Sequence, residues 1–175
     1  MRKLFKNRYV KYGVILAVIL IAVFLIVSAI IGAGEITLLN SKSLTDWKLG
    51  GTVEGISSPA EGEAAVIIPY RWFDEDGKMG LRNEATGTTY YMGKYPSSTA
   101  GKFCVTGFIT AEKAYSILGI RSGTPEEDAK SILLRNGYIL VAGGMNSCRA
   151  ERGNVTIELL FQHGSVIRIS AFINK

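Results

Sequence analysis

Residues 155–173 read VTIELLFQHGSVIRISAFI, and this stretch decides the fold. Val155, Ile157, Leu159 and Phe161 alternate with Thr156, Glu158 and Leu160, the period of two that sends apolar side chains to one face of a strand. Gln162-His163-Gly164-Ser165 carries turn chemistry, and Val166 to Ile173 returns as a second β-rich run. An antiparallel hairpin with one buried face is expected. A further strand over Tyr138 to Ala142 extends it to a meander whose apolar face needs a covering layer.

That layer lies just upstream. Thr124-Pro125-Glu126-Glu127 combines an N-cap Thr, Pro at the first helical position and a capping-box Glu. Glu126, Glu127 and Asp128 favour the positive end of the helix dipole, and Asn136-Gly137 supplies the stop. Ala129, Ile132 and Leu133 fall on one face while Asp128, Lys130 and Arg135 reach water, so the helix is expected to lie on the sheet. A shorter helical turn is expected over Thr110 to Leu118.

Earlier segments also read as strands. Ala64 to Phe73 (AAVIIPYRWF) is apolar and aromatic, with Pro69 implying an edge strand or a bend. Asp74-Glu75-Asp76-Gly77 turns the chain into a return strand over Lys78 to Arg82. A turn at Ala85-Thr86-Gly87 precedes Thr88 to Met92, and Lys102 to Ile109 is rich in β-formers. Residues 36–58 are rich in Gly, Ser and Thr, as a stalk or as the first irregular part of the domain. Trp47, between Leu44 and Leu49, fits packing onto the domain better than a solvated linker.

The N-terminal end is different in kind. No charge occurs from Tyr12 to Gly34, and Val14 to Ile31 is almost wholly apolar, long enough for a transmembrane helix. Arg2, Lys3, Lys6, Arg8 and Lys11 precede it without an acid, which by the positive-inside rule places the N-terminus in the cytoplasm. The expected fold class is α+β, with an N-terminal transmembrane helix followed by one antiparallel-sheet domain carrying one or two packed helices. The expected domains are a cytoplasmic basic tail (1–11), a transmembrane anchor (12–34) and an extracytoplasmic domain (35–175), on a single-pass protein of the cell membrane. A cleaved signal peptide, processed near Gly32-Ala33-Gly34, is the alternative. The formal charge of +5 comes from 20 Lys+Arg against 15 Asp+Glu. Removing the five N-terminal cations leaves the rest balanced, which argues against a nucleic-acid partner.

The run Gly119-Ile120-Arg121-Ser122-Gly123-Thr124-Pro125-Glu126-Glu127-Asp128-Ala129, followed by a helix, Asn136-Gly137-Tyr138 and a meander, resembles the small αβ repeat of the outer-membrane assembly lipoproteins of the BamE kind and of the β-lactamase inhibitor proteins. The resemblance covers about residues 115–173. It implies a helix packed on antiparallel strands and an exported location, and it carries over no catalytic residue.

Candidate functional residues are few. Cys104 and Cys148 are the only cysteines; an even count on the oxidising side of a membrane points to a disulfide, with two buried free thiols as the alternative. Tyr70, Trp72, Tyr90 and Tyr91, with Phe73, Tyr95, Arg71, Arg82 and Lys94 nearby, suggest a binding surface, or else a core with tyrosine hydroxyls at its rim. His163 reads as a turn residue rather than a general acid or base. No ligand spacing suggests a metal, no phosphate loop is present, and no cofactor is expected. The expected function is a membrane-anchored extracytoplasmic binding or interaction module of the bacterial envelope, its partner another envelope protein or a cell-wall component, and catalysis is not expected. The alternatives are a cell-wall hydrolase using two among Asp74, Asp76, Glu84, Glu126 and Glu158, or an inhibitor-like domain released by signal cleavage.

Overall fold

A computed structural model describes residues 8–52, 66–67, 70–93, 104–141 and 143–174, without the side chains of 8–11, 25–33, 66 and 67. The chain divides into two compact units, Met1–Gly34 and Glu35–Lys175. Helix α1 (Arg8–Ser41) accounts for the described part of the first, and its large apolar side chains between Val14 and Phe24 are 46% to 70% exposed.

The second unit is one antiparallel sheet. Its strands are β1 (Val66–Ile67), β2 (Tyr70–Glu75), β3 (Lys78–Asn83), β4 (Thr88–Gly93), β5 (Cys104–Thr110), β6 (Ile139–Val141), β7 (Ser147–Arg152), β8 (Val155–Gln162) and β9 (Ser165–Ile173), with helix α2 (Glu126–Arg135) between β5 and β6. The spatial order is β1-β2-β3-β4-β5-β9-β8-β7-β6. Two meanders, one from each half of the unit, are therefore joined side by side where β5 pairs with β9, from Gly107 opposite Phe172 to Thr110 opposite Ile169.

This corrects the expected fold class. Strands dominate, all described strands belong to a single sheet, and among the described residues no helix is long and apolar enough to cross a membrane. The last turns of α1 do not continue an apolar span: they carry Glu35 and bury Ile36 and Leu39 within the sheet unit. Within 64–73, β1 and β2 pair with each other, Ile67 opposite Tyr70, and β1 lies at the edge of the sheet. Pro69 itself, Lys94 and Tyr95 lie outside the described residues. The turn expected over 110–118 is not helical. Leu44 and Ser116 form a bridge, as do Ile117 and Ile120, and Leu118 adopts φ 55°, so tertiary pairing overrides local helix propensity. A further strand, β7, lies between β6 and β8.

The C-terminal hairpin forms as its alternation predicts. Gly153, at positive φ, and Asn154 form the turn between β7 and β8, and His163 and Gly164, both at positive φ, close β8 onto β9. Helix α2 stops at Asn136 with Gly137 at φ 79°. Its start differs from expectation, because Pro125 occupies the cap position and no side chain caps the helix. The Thr124 hydroxyl instead accepts from the Arg121 amide at 3.0 Å.

Registers assign the two faces. Across the sheet, Trp72, Leu81, Tyr90, Phe108, Ala171, Ile157, Ala150 and Leu140 follow one another strand by strand. On this face Leu81, Tyr90, Phe108, Ile157, Ile169 and Val155 are all within 1% of complete burial. The buried side chains of α2, Ala129 and Leu133, join the same core, as do Ile36, Leu39, Leu49, Ile117 and Ile120. Each such aliphatic side chain contributes about 1.5–3 kcal/mol by leaving water. The penultimate turn of α1 meets the β7–β8 turn, where Arg152 Nε lies 3.9 Å from Glu35 Oε1 and Arg152 Nη1 donates to the Asn136 carbonyl. Gly153, at φ 54°, lies directly under that carboxylate, and a Cβ there would collide with it.

Ile157→Ala, at a fully buried position, is expected to lower unfolding free energy by about 2–5 kcal/mol. Met145→Ala, at a fully exposed one, is expected to change it by no more than about 0.5 kcal/mol. Urea titration followed by far-ultraviolet circular dichroism measures both.

Candidate functional site

The aromatic residues expected to form one surface are divided by the sheet between its two faces. Tyr70 and Tyr90 are 2% and 0% exposed and belong to the core, and Trp72 packs against that core from a half-buried position. Only Tyr91, of the four singled out in sequence, lies on the opposite face. On β4 the adjacent residues Tyr90 and Tyr91 face opposite sides of the sheet, while Tyr70 and Trp72 of β2 both face the core.

On the core side the tyrosine hydroxyls converge on Asp46. Tyr70 and Tyr115 donate to Asp46 Oδ2 at 2.5 and 2.6 Å, and their own oxygens lie 3.2 Å apart. The Tyr90 hydroxyl accepts from the Asp46 amide at 2.9 Å. Trp47 stands edge-on to both Tyr70 and Tyr90, with ring centroids 4.7 and 4.9 Å away. Burial raises the phenol pKa of Tyr70, and the hydrogen bond to the Asp46 carboxylate raises it further. Tyr115 is raised in the same way, and Tyr90 chiefly by burial. All three stay protonated at neutral pH, Tyr70 and Tyr115 as donors to Asp46 and Tyr90 as an acceptor from its amide, so none is a good base or nucleophile there. The cluster is a latch that fastens the segment after α1 to the sheet. That segment goes on to exchange backbone hydrogen bonds with β5, Gly50 N to Val105 O at 2.8 Å and Val105 N to Gly51 O at 3.0 Å.

The opposite face carries a stripe that the sequence conceals. Phe73, Gly80, Tyr91, Gly107 and Phe172 are successive cross-strand partners on β2, β3, β4, β5 and β9. Each glycine lies between two half-buried aromatic rings, and those rings lean over it. A Cβ at Gly107 would run into the Phe172 ring and approach Tyr91 to 3.3 Å, while one at Gly80 would collide with the Tyr90 carbonyl and lie 3.1 Å from the Phe73 ring. Ring centroids are 5.7 Å apart for Phe73 and Tyr91 and 5.8 Å for Tyr91 and Phe172, with interplanar angles of 88° and 43°. Such aromatic cover of strand glycines restores packing that the missing side chain forfeits. The Arg82 guanidinium lies 4.7 Å above the Phe73 ring and 3.6 Å from Glu75. Beside the stripe is a recess of about 330 Å³ lined in part by Lys78, Tyr91, Thr106, Ile109 and Phe172.

The remaining candidates do not assemble. Cys104 and Cys148 are buried, free thiols. Their strands β5 and β7 are separated by β9 and β8, which at the usual spacing puts the backbones about 14 Å apart, beyond the roughly 7 Å that a disulfide tolerates. The expected pairing is corrected accordingly. Cys104 donates instead to the Gly93 carbonyl at 3.3 Å, and burial pushes the Cys148 thiol pKa up. Of the acids considered for hydrolysis, Asp74 and Asp76 lie at the β2–β3 tip and Glu84 at the β3–β4 turn. Glu126 pairs with Lys130 at 2.6 Å, and Glu158 faces Arg149 at 3.8 Å. No two of them meet across a cleft among the described residues. His163 is an exposed turn residue. No protein family, curated protein or solved structure matches this chain.

Two outcomes test this description. Asp46→Ala is expected to cost about 1.5–3 kcal/mol, the range for hydrogen bonds to a charged acceptor. In a double-mutant cycle with Tyr70→Phe the two losses are expected to be less than additive. Tyr138 provides the pH test. Burial, with help from the Glu35 charge and against that of Arg152, pushes its pKa up from 10.0 to about 12. The folded state then holds this proton more tightly than the unfolded chain, so the contribution is complete below about pH 10 and is lost as pH rises towards about 12. Tyr138→Phe is expected to flatten the fall in the urea midpoint over that window.

Proposed function

We propose that this chain is an extracytoplasmic binding module of the cell envelope, held at a membrane by the apolar stretch of its N-terminal unit, and that it presents the aromatic–glycine stripe to another envelope protein. The stripe is the observation that carries the reading. Three half-buried aromatic rings in a row across four adjacent hydrogen-bonded pairings, beside a recess and flanked by arginine, have the composition of a recognition surface, where aromatic and arginine side chains are enriched. The basic residues before Tyr12 and the exposed apolar side chains from Val14 to Phe24 support a lipid surface as the second partner.

The aromatic stripe favours a protein over a polysaccharide. Rings set at 88° and 43° to one another offer edges and recesses rather than the flat platform on which successive sugar rings stack.

A photo-crosslinking amino acid placed at Tyr91 in the full chain, expressed in cells, is expected to give one discrete adduct. The same probe at Met145, exposed and remote from the stripe in sequence, is expected to give none. Phe172→Ala is expected to reduce the Tyr91 adduct at least about tenfold, as truncation of an aromatic anchor does. Equal adducts from both positions, or an adduct indifferent to Phe172→Ala, would overturn the reading.

A further inference from the structure

The stripe has a charged margin whose balance is incomplete. The β2–β3 register sets Arg71 directly opposite Arg82, and the contact of Arg82 with the Phe73 ring fixes the pair on the stripe's face. Like charges directly opposite on adjacent strands destabilise a sheet, and among the described residues a single carboxylate pairs with either of them. Glu75 approaches Arg82 at 3.6 Å, with both side chains substantially exposed. Arg71 is exposed and makes no hydrogen bond or ion pair among the described residues. The register thus sets two arginines opposite one another at the end of an aromatic stripe, with charge for one more anion.

We infer that the Arg71–Arg82 pair is a carboxylate-recognition subsite for an acidic side chain of the protein segment that occupies the stripe. The inference rests on the binding reading above and names the chemistry of the partner. A guanidinium presents a planar fork of donors that matches a carboxylate in two parallel hydrogen bonds, and cation–π contact with Phe73 pre-orients one fork without neutralising it. The recess between Tyr91, Thr106 and Phe172 takes an apolar side chain of the same segment. The recess is lined from β3 to β9, with Tyr91 of β4 and Thr106 of β5 near its middle, and from there to the arginine pair on β2 and β3 is about two strand spacings, or roughly 10 Å. An extended chain covers that distance in about three or four residues. The segment therefore carries an acidic residue three or four positions from a bulky apolar one.

The test uses the full chain in detergent micelles with arginine side chains labelled at Nε, titrated with a capped hexapeptide containing one glutamate three residues before a leucine. The matched probe carries glutamine in place of the glutamate, and a galacturonic acid trimer serves as the polysaccharide source of carboxylate. The glutamate peptide is expected to shift the Arg71 and Arg82 Nε resonances saturably and to bind about tenfold more tightly than the glutamine peptide. Arg71→Gln, at an exposed position that threatens no packing, is expected to abolish that tenfold difference, and Arg71→Lys to restore part of it. Unchanged circular dichroism of the variants is the folding control. Equal affinity for the two peptides, no saturable shift, or equal binding of the sugar acid would each overturn the inference. Equal peptide affinities leave the stripe itself as the binding face, whereas loss of the Tyr91 crosslink removes the face, so the two failures are told apart.

Discussion

The sheet depends on one pairing between strands far apart in the chain. β5 ends at Thr110 and β9 begins at Ser165, and no other junction in the strand order joins the first meander to the second. Each meander alone is a run of hairpins with an unprotected edge, a marginal arrangement in water. Joined, they share a core in which Phe108 of β5 lies opposite Ala171 of β9. Helix α2, which the chain traverses between the two halves, packs on β9 and β6 from the same side. The entropy of closing this long loop must be overcome before the core rewards it, so β5–β9 pairing is the natural late and cooperative step of folding.

Local patterns made parts of this legible. The β8–β9 hairpin combines long period-two alternation with a His-Gly turn, and α2 combines an apolar face with an Asn-Gly stop; both signals are local and both elements form. The β2–β3 turn at Asp76-Gly77, with φ of 52° and 72°, was readable for the same reason. Strand β7 was not, because its inward positions are Cys148 and Ala150, small residues that give a weak hydrophobic signal between charged neighbours. The segment 110–118 misled in the opposite direction, since its helix-favouring Ala, Glu and Lys are overruled by the pairing of Ser116 with Leu44.

The candidate surface was harder to read than the fold because it is made of register. Tyr70, Trp72, Tyr90 and Tyr91 are close in sequence, yet one residue's difference in position sends a ring to the core or to the opposite face. Trp47 was readable as a packing residue, but the partners that draw Asp46 to the sheet lie 24 and 69 positions away. The even cysteine count was uninformative for the same reason: only strand order shows that two other strands stand between the thiols.

The stripe's direction has an evolutionary consequence. It runs across the strands, so its length is set by how many strands the sheet has and not by how long any strand is. Successive contacts along it come from Phe73, Tyr91 and Phe172, residues of three separate hairpins. Replacing one ring of the stripe thus alters a single hairpin, while the glycines at 80 and 107 leave room for the neighbouring rings. The outer face of the sheet is thus modular by strand, each ring of the stripe belonging to its own hairpin.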